Sequence, residues 1–531
     1  MTGLISHGEV PPAKSAVPED SIIALMLRGC REDPFRPLVI VEDGPRFTRK
    51  AFEDRVAAFA GHLAEKVKPH DRVVVMLDNR LEYLVAFFAI LACRGTLVSI
   101  SPDAKAHDAG HILRDAEPVL VIAGAAQAEV LKGVEGPVPE VLVVGEPEPD
   151  GLVPYDAAPL DLGKVAGERE DVAAIYYTSG STGAPKGCML HNGWWLNVVD
   201  TDLRLFPRGW QDRQLCCLPF YYADPTIQLL TSLASRGTMI AMRRFSVSRF
   251  WDVVRTHDAT EILSIASIPA LLLTGERSEA ERDHRIRLAI HAGLPPDIHA
   301  ELLERYGFDW LNQYGQTEGG LISRVPMDGS ERFTGTGTMG VEPPGVQVKV
   351  LNEAGEEVPV GEAGEAAVFS EDVFRGYLGR PEATAETIRD GWVHTGDLVR
   401  RDAKGLLYFV GRKKEIVRRS GENISGAEVE AVLSSHPRIV EAAVIPVPDK
   451  LRGEEVKAIL SVKGGGGREA LPPDEVLAWC RERLAGFKVP RYLAWQEGEF
   501  PRLPSMKIDR QALRRAHDFD DPGLWDREAG K

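Results

Sequence analysis

The sequence predicts an α/β protein: a large N-terminal domain of helix-covered sheets with a β-rich part, then a small α+β C-terminal domain. Three observations carry this. Short β-type runs alternate with helical patterns over most of the 531 residues, as in parallel sheets covered by helices. From Thr334 to Tyr377 that alternation gives way to Gly, Pro and Val with short extended runs. The chain after Lys414 reads as strand, strand, helix, strand. Length by itself suggests about two to four domains.

In chain order, Arg72–Leu77 reads as a strand and Leu81–Ala92 as a helix, followed by strands at Val119–Ile122 and Asp171–Tyr177. Leu215–Leu218, Ile262–Ile265 and Leu288–Ile290 continue the strands, with helices over Thr226–Ala234, Ser248–Thr256 and Pro296–Arg305. The β-rich part holds Val346–Val350 and Glu365–Phe369, and Gly405–Val410 is a further strand. Ser425-Gly-Ala-Glu428 has capping-box spacing and opens a helix through Leu433: Ser425 accepts from the Glu428 amide while Glu428 reaches back. Gly464–Gly467 reads as a surface turn between strands.

Composition narrows the function classes. The net charge of −16 argues against nucleic acid as a partner. Six cysteines without a CxxC pair or zinc-like spacing read as reduced, buried thiols. Residues 1–20 lack the apolar core of a signal peptide. The most apolar stretch, Tyr83–Cys93, is too short to span a bilayer. The expectation is a cytoplasmic protein without a membrane span; a homodimer is one assembly the sequence permits.

The strongest chemical signal is Thr178-Ser-Gly-Ser-Thr-Gly-Ala-Pro-Lys-Gly187, directly after an apolar strand. Its glycines allow close backbone approach to a phosphate, its amides and hydroxyls can form an anion-binding nest, and Lys186 adds a point charge. Pro185 stands where a Walker A loop needs glycine before lysine, so this is a different phosphate loop. A flexible Gly/Ser linker is the simpler reading of such composition, but not of the whole ordered string.

That string resembles the phosphate loop of the adenylate-forming superfamily of acyl-CoA synthetases, peptide-synthetase adenylation domains and beetle luciferases. Tyr314-Gly-Gln-Thr-Glu318, His394-Thr-Gly-Asp397, Gly411-Arg-Lys-Lys414, Ser420-Gly-Glu-Asn-Ile424 and Pro504-Ser-Met-Lys507 follow in that family's order. The resemblance covers roughly residues 20–515 and implies an AMP-binding domain over 20–410, with 334–377 as its β-rich part. It also implies a hinge at 411–414 and a mobile C-terminal domain over 415–520.

The roles below are what the resemblance implies. Thr178, Ser179, Gly180, Ser181, Thr182, Gly183 and Lys186 hold the phosphates of ATP. Glu318 holds Mg²⁺. Gly293, Leu294, Gln313, Tyr314, Gly315, Gln316 and Thr317 border the adenine, and Asp397 and Arg412 reach the ribose. Lys507 bridges the substrate carboxylate and the α-phosphate, so Lys507, Glu318 and Thr178 are the catalytic candidates. A rotation about Lys414 exchanges Lys507 for the face formed by Arg418, Ser420, Gly421 and Glu422, where coenzyme A delivers its thiol. Free coenzyme A is the expected acceptor, because little chain follows residue 515. Loading of a separate carrier protein and an inactive nucleotide-binding regulator are the alternatives.

Two positions depart from the pattern. Met506 stands where relatives usually have glycine, and Tyr222 stands where many carry histidine. Tyr221, Tyr222 and Asp224 fit either core aromatics beside an acyl pocket or groups around a cationic or polar tail, the second in keeping with a similarity to carnitine-type ligases.

Overall fold

The computed structural model describes residues 17–145, 151–155, 157–165, 167–178, 185–265, 268–413, 416–420, 422–502, 508–517 and 523–529. Every residue of helix Leu81–Ala92 is buried, as a helix apolar on all faces must be. Phe87 and Phe88 of this helix meet Trp195 and Phe52 edge-to-face, at ring separations of 5.9 and 5.7 Å.

Two sheets flank such helices. In one, Glu140–Val144, Leu120–Gly124, Arg72–Met76, Thr96–Ser99 and Val172–Thr178 are adjacent and parallel, and Lys186–His191 closes the edge antiparallel. In the other, Trp310–Gln316, Leu288–Ala292, Glu261–Ile265, Arg213–Cys216, Thr238–Ala241 and Pro37–Val41 run parallel, with antiparallel Gly320–Arg324 and Arg46–Thr48 at the edges. Ligands of such sheets bind beyond the carboxyl ends of the strands, and the predicted site segments emerge there. Ser179 follows Val172–Thr178, Tyr221 lies shortly after Arg213–Cys216, Gly293 follows Leu288–Ala292 and Glu318 follows Trp310–Gln316.

The chain divides into two compact units. The first comprises residues 1–348, 367–395 and 404–406; the second comprises 349–366, 396–403 and 407–531. The second has its own core, in which Val417, Ile424, Val429, Leu433, Val456 and Leu493 are buried together. Its longest ladder pairs Ile439–Asp449 with Gly453–Val462.

Three local expectations are corrected. The strand read at Gly405–Val410 runs over Leu407–Arg412, because Gly405 sits at φ +87° in the preceding turn. Gly464–Gly467 leads from the strand Gly453–Val462 into the short helix Gly467–Ala470, not into another strand. Ser425 Oγ accepts from the Glu428 amide at 3.2 Å, but the Glu428 carboxylate bonds Lys488 Nζ at 2.7 Å instead of reaching back. Half of the capping box forms, because a cation nearby outcompetes a neutral amide for the carboxylate.

No helix among the described residues is long and apolar enough to cross a membrane. All six cysteines are free, and all but Cys93 are buried.

Candidate active site

The predicted phosphate-binding segment lies between two paired strands. Strands Val172–Thr178 and Lys186–His191 pair antiparallel from Val172↔His191 to Thr178↔Lys186, so Thr178 and Lys186 face one another where the loop departs. The intervening Ser179, Gly180, Ser181, Thr182 and Gly183 lie outside the described residues.

Glu318 is carried on a second hairpin tip. Gln316 pairs with Gly320, leaving Thr317–Gly319 as the turn. The ladder shifts register between Tyr314 and Gly315. A Cβ on Gly315 would stand 2.8 Å from Gly320 O, so only glycine fits this close approach.

The two tips meet. Glu318 Oε1 accepts from Tyr377 Oη at 2.8 Å and lies 3.7 Å from the Cys188 thiol. Cys188 Sγ is also 3.6 Å from Thr178 Oγ1. Burial, reinforced by the Glu318 charge, pushes both the Cys188 thiol and the Tyr377 phenol well above their usual range. Both stay protonated and act as donors. The Lys186 ammonium lies over the Tyr377 ring, 4.8 Å from its centre.

In the segment predicted to border the adenine, Asn312 Oδ1 accepts from the amides of Gly293 (3.1 Å) and Leu294 (3.0 Å). Its Nδ2 donates to Thr338 O at 2.9 Å. Gly293 sits at φ +83° with nothing near its Cβ position. Gln313 is held by Arg324, whose Nε and Nη2 donate to Oε1 at 3.0 and 2.6 Å. Arg324 belongs to a buried charge chain through Asp202 and Arg208 to Glu261. Tyr314 is buried, whereas Gly315 beside it is exposed. Gln316 Nε2 donates to Thr395 O at 3.2 Å.

In the second unit, buried Asp397 pairs across the ladder with Arg412, and Arg412 Nε lies 3.1 Å from Asp397 Oδ1. Arg418 is exposed and meets Glu353 at 3.3 Å. Ser420, at φ +51°, begins the connection between Arg419 and Glu422, where a two-residue hairpin favours positive φ. Lys414, Gly421 and Lys507 lie outside the described residues, as does the side chain of Glu422.

The acyl candidates are anchored through the backbone. Asn79 accepts from the Phe220 amide at 2.7 Å and donates to Leu218 O and Met242 O at 2.9 and 3.0 Å. Ser99 Oγ donates to Tyr221 O at 3.1 Å and accepts from the Tyr83 hydroxyl at 2.8 Å. Ser99 pairs with Tyr176, two residues before Thr178. The rings of Tyr221 and Tyr222 lie 4.6 Å apart. Asp224 sits in the first turn of helix Ala223–Ser235, where the helix dipole favours a carboxylate.

Sequence reading missed Asn79, Asn312 and Tyr377. Asn79 leaves a faint signal, lying three residues past the apolar strand Arg72–Met76 and bonding backbone as Asx residues do; Asn312, inside the strand Trp310–Gln316, leaves none.

Comparison with known proteins bears directly on this geometry. The family model described as AMP-binding enzyme matches residues 28–378, and that of its C-terminal domain matches 428–507. The chain belongs to the AMP-binding enzymes. A feruloyl-CoA synthase of an Amycolatopsis species is 32% identical over 488 residues, covering 89% of this chain and 94% of the relative. A crotonobetaine/carnitine–CoA ligase of Salmonella heidelberg is 26% identical over 478 residues, covering 84% and 89%. The solved structure of ATP-bound MatB from Rhodopseudomonas palustris superimposes with a TM-score of 0.83 at 27% identity, covering 93% of this chain and 98% of that one. This AMP-binding enzyme is an AMP-forming acid–thiol ligase: it activates a carboxylic acid with ATP and transfers the acyl group to coenzyme A.

Proposed function

We propose that the hairpin tips carrying Thr178, Lys186 and Glu318 hold the triphosphate while a carboxylic acid attacks the α-phosphorus. The observation that carries this reading is the meeting of the tips: Cys188 Sγ, one residue beyond Gly187, lies within 3.7 Å of both Thr178 Oγ1 and Glu318 Oε1.

Glu318 suits Mg²⁺. Both hydrogen bonds to its carboxylate among the described residues fall on Oε1, which leaves Oε2 as a hard oxygen ligand. Among the described residues no group of three or more metal-ligating side chains gathers. That matches an ion held by one carboxylate and substrate phosphates, not by an all-protein cage. Bound there, Mg²⁺ would supply neutralisation of the phosphate charge.

In the first half-reaction an acid oxygen bonds to the α-phosphorus as the bond to the bridging oxygen breaks, releasing pyrophosphate. Lys186 and the Thr178 hydroxyl steady the phosphates, and Lys507 faces the charge that develops at phosphorus. Asn312 holds the Gly293–Leu294 segment against the adenine, and Asp397 with Arg412 takes the ribose hydroxyls. In the second half-reaction the sulfur of coenzyme A, its proton passing to solvent, bonds to the acyl carbon as the carbon–oxygen bond to AMP breaks. A hinge at Lys414, between a domain over 20–410 and one over 415–520, withdraws Lys507 and presents Arg418, Ser420, Gly421 and Glu422. Tyr221, Tyr222 and Asp224 border the acyl pocket. The enzyme acts in the cytoplasm on small molecules, not nucleic acid, as a monomer or homodimer.

The test is pyrophosphate release with a panel of carboxylates, with and without coenzyme A. The panel spans aryl-propenoic, quaternary-ammonium-bearing, short dicarboxylic and fatty acids. At least one acid is expected to yield AMP, and coenzyme A to convert its adenylate to a thioester. Lys507→Ala should lose roughly 100-fold or more in adenylation yet largely spare thioester formation from pre-made acyl-AMP. Failure of every acid, or equal loss of both steps in Lys507→Ala, would overturn the proposal.

A further inference from the structure

A segment outside every recognised motif joins the two hairpin tips. Residues 374–378 run antiparallel to Lys186–His191. The amides of Arg375 and Leu378 donate to Met189 O and Gly187 O, both at 2.8 Å, and the Met189 amide donates to Gly376 O at 3.0 Å. At the other end, the Phe374 amide donates to Glu318 O at 3.0 Å. Tyr377, bridged to Cys188, therefore has its backbone on one hairpin and its hydroxyl on the carboxylate of the other. Its own amide is fixed by Thr384 Oγ1 at 2.9 Å.

Its side chain touches both charged groups of the phosphate site. The hydroxyl holds Glu318 Oε1 at 2.8 Å, and the ring carries the Lys186 ammonium 4.8 Å from its centre. We infer that Tyr377 is a positioning residue: it turns Glu318 Oε2 towards the metal and keeps Lys186 from collapsing onto Glu318 before nucleotide arrives. The inference rests on Glu318 and Lys186 being the metal and phosphate groups. A carboxylate and an ammonium on adjacent strand ends attract one another, and a direct pair would occupy the oxygen the metal needs. A phenol between them satisfies the carboxylate through its O–H and the ammonium through its ring face. The ring contact is weak enough to yield Lys186 to phosphate.

Tyr377→Phe keeps the ring and removes only the hydroxyl; Tyr377→Leu removes both. The readouts are Mn²⁺ binding by electron paramagnetic resonance with a non-hydrolysable ATP analogue, and the Mg²⁺ dependence of pyrophosphate release. Tyr377→Phe is expected to weaken metal binding about ten-fold, as loss of a partner behind a ligand does, with KM for the acid unchanged. Tyr377→Leu should in addition raise KM for ATP. If Tyr377→Phe does not fold, Cys188→Val, which deletes the weaker donor on Oε1, reads the same constant and should weaken metal binding to a smaller extent. Unchanged Mn²⁺ binding in Tyr377→Phe, or in Tyr377→Leu where Tyr377→Phe does not fold, alongside weakened binding in Glu318→Gln, would overturn the role of Tyr377 alone. Unchanged binding in Glu318→Gln would overturn the metal reading and this inference with it.

Discussion

Replacing Asn312 by alanine tests whether one buried amide shapes the nucleotide site. The side chain is 5% exposed, and its loss breaks three hydrogen bonds: two from the Gly293 and Leu294 amides and one to Thr338 O. An orphaned buried backbone group costs ~1–3 kcal/mol. Leu294 and Thr338 are both buried, so water reaches neither freely, and partial relaxation brings the total to about 2–5 kcal/mol. The segment that shifts, Gly293–Leu294, is the one assigned to the adenine. Losing one neutral contact of about 1.4 kcal/mol there corresponds to about ten-fold in affinity. Asn312→Ala is therefore expected to melt several degrees lower and to raise KM for ATP about ten-fold, with a smaller change in kcat. Asn312→Asp keeps an acceptor for both amides and should fall between Asn312→Ala and the parent. Thermal unfolding and the pyrophosphate-release assay read the two effects. A variant that melts lower but keeps KM for ATP within about two-fold would refute the link between Asn312 and the nucleotide.

Two further outcomes follow from particular contacts. Burial alone would raise the Asp202 carboxyl, but Arg208 and Arg324 outweigh it and hold its pKa below the ordinary value. Its stabilisation is thus present above the unfolded pKa of about 3.9 and is lost as pH falls through the lower folded value. Asp202→Asn should cost ~3–5 kcal/mol at pH 7, because it removes the carboxylate bonded to buried Arg324. Its deficit in urea midpoint should shrink only below about pH 4; a deficit that fades between pH 7 and 5 would contradict this. In the C-terminal unit, Ser425→Ala removes the cap of helix Gly426–Ser434 and should cost ~1 kcal/mol. Glu428→Ala breaks only a half-exposed pair with Lys488 and should stay within ~1 kcal/mol. The reverse ranking in chemical denaturation would show that the full capping box forms after all.

How far the sequence reached is seen in the Thr178–Gly187 string. A strand ending in glycines, hydroxyls and one lysine reads as a phosphate loop through local chemistry. The ordered motifs around it identified the family and the reaction, and the unbroken apolar run Tyr83–Cys93 announced a buried helix. Each of these depends on neighbours in the chain, so each was legible there.

What lay hidden depends on partners far apart. Asn79, Asn312 and Tyr377 are ordinary residues in sequence. They matter because the fold brings 79 to 220, 312 to 293 and 377 to 318. The capping box shows the same limit: its spacing was right, yet Lys488, 60 positions away, took the carboxylate. The sequence by itself determined the family and the reaction, because the motifs that carry them are local strings. Only the tertiary structure decided which neutral side chains hold those motifs in register, because hydrogen-bond partners are chosen by proximity in space.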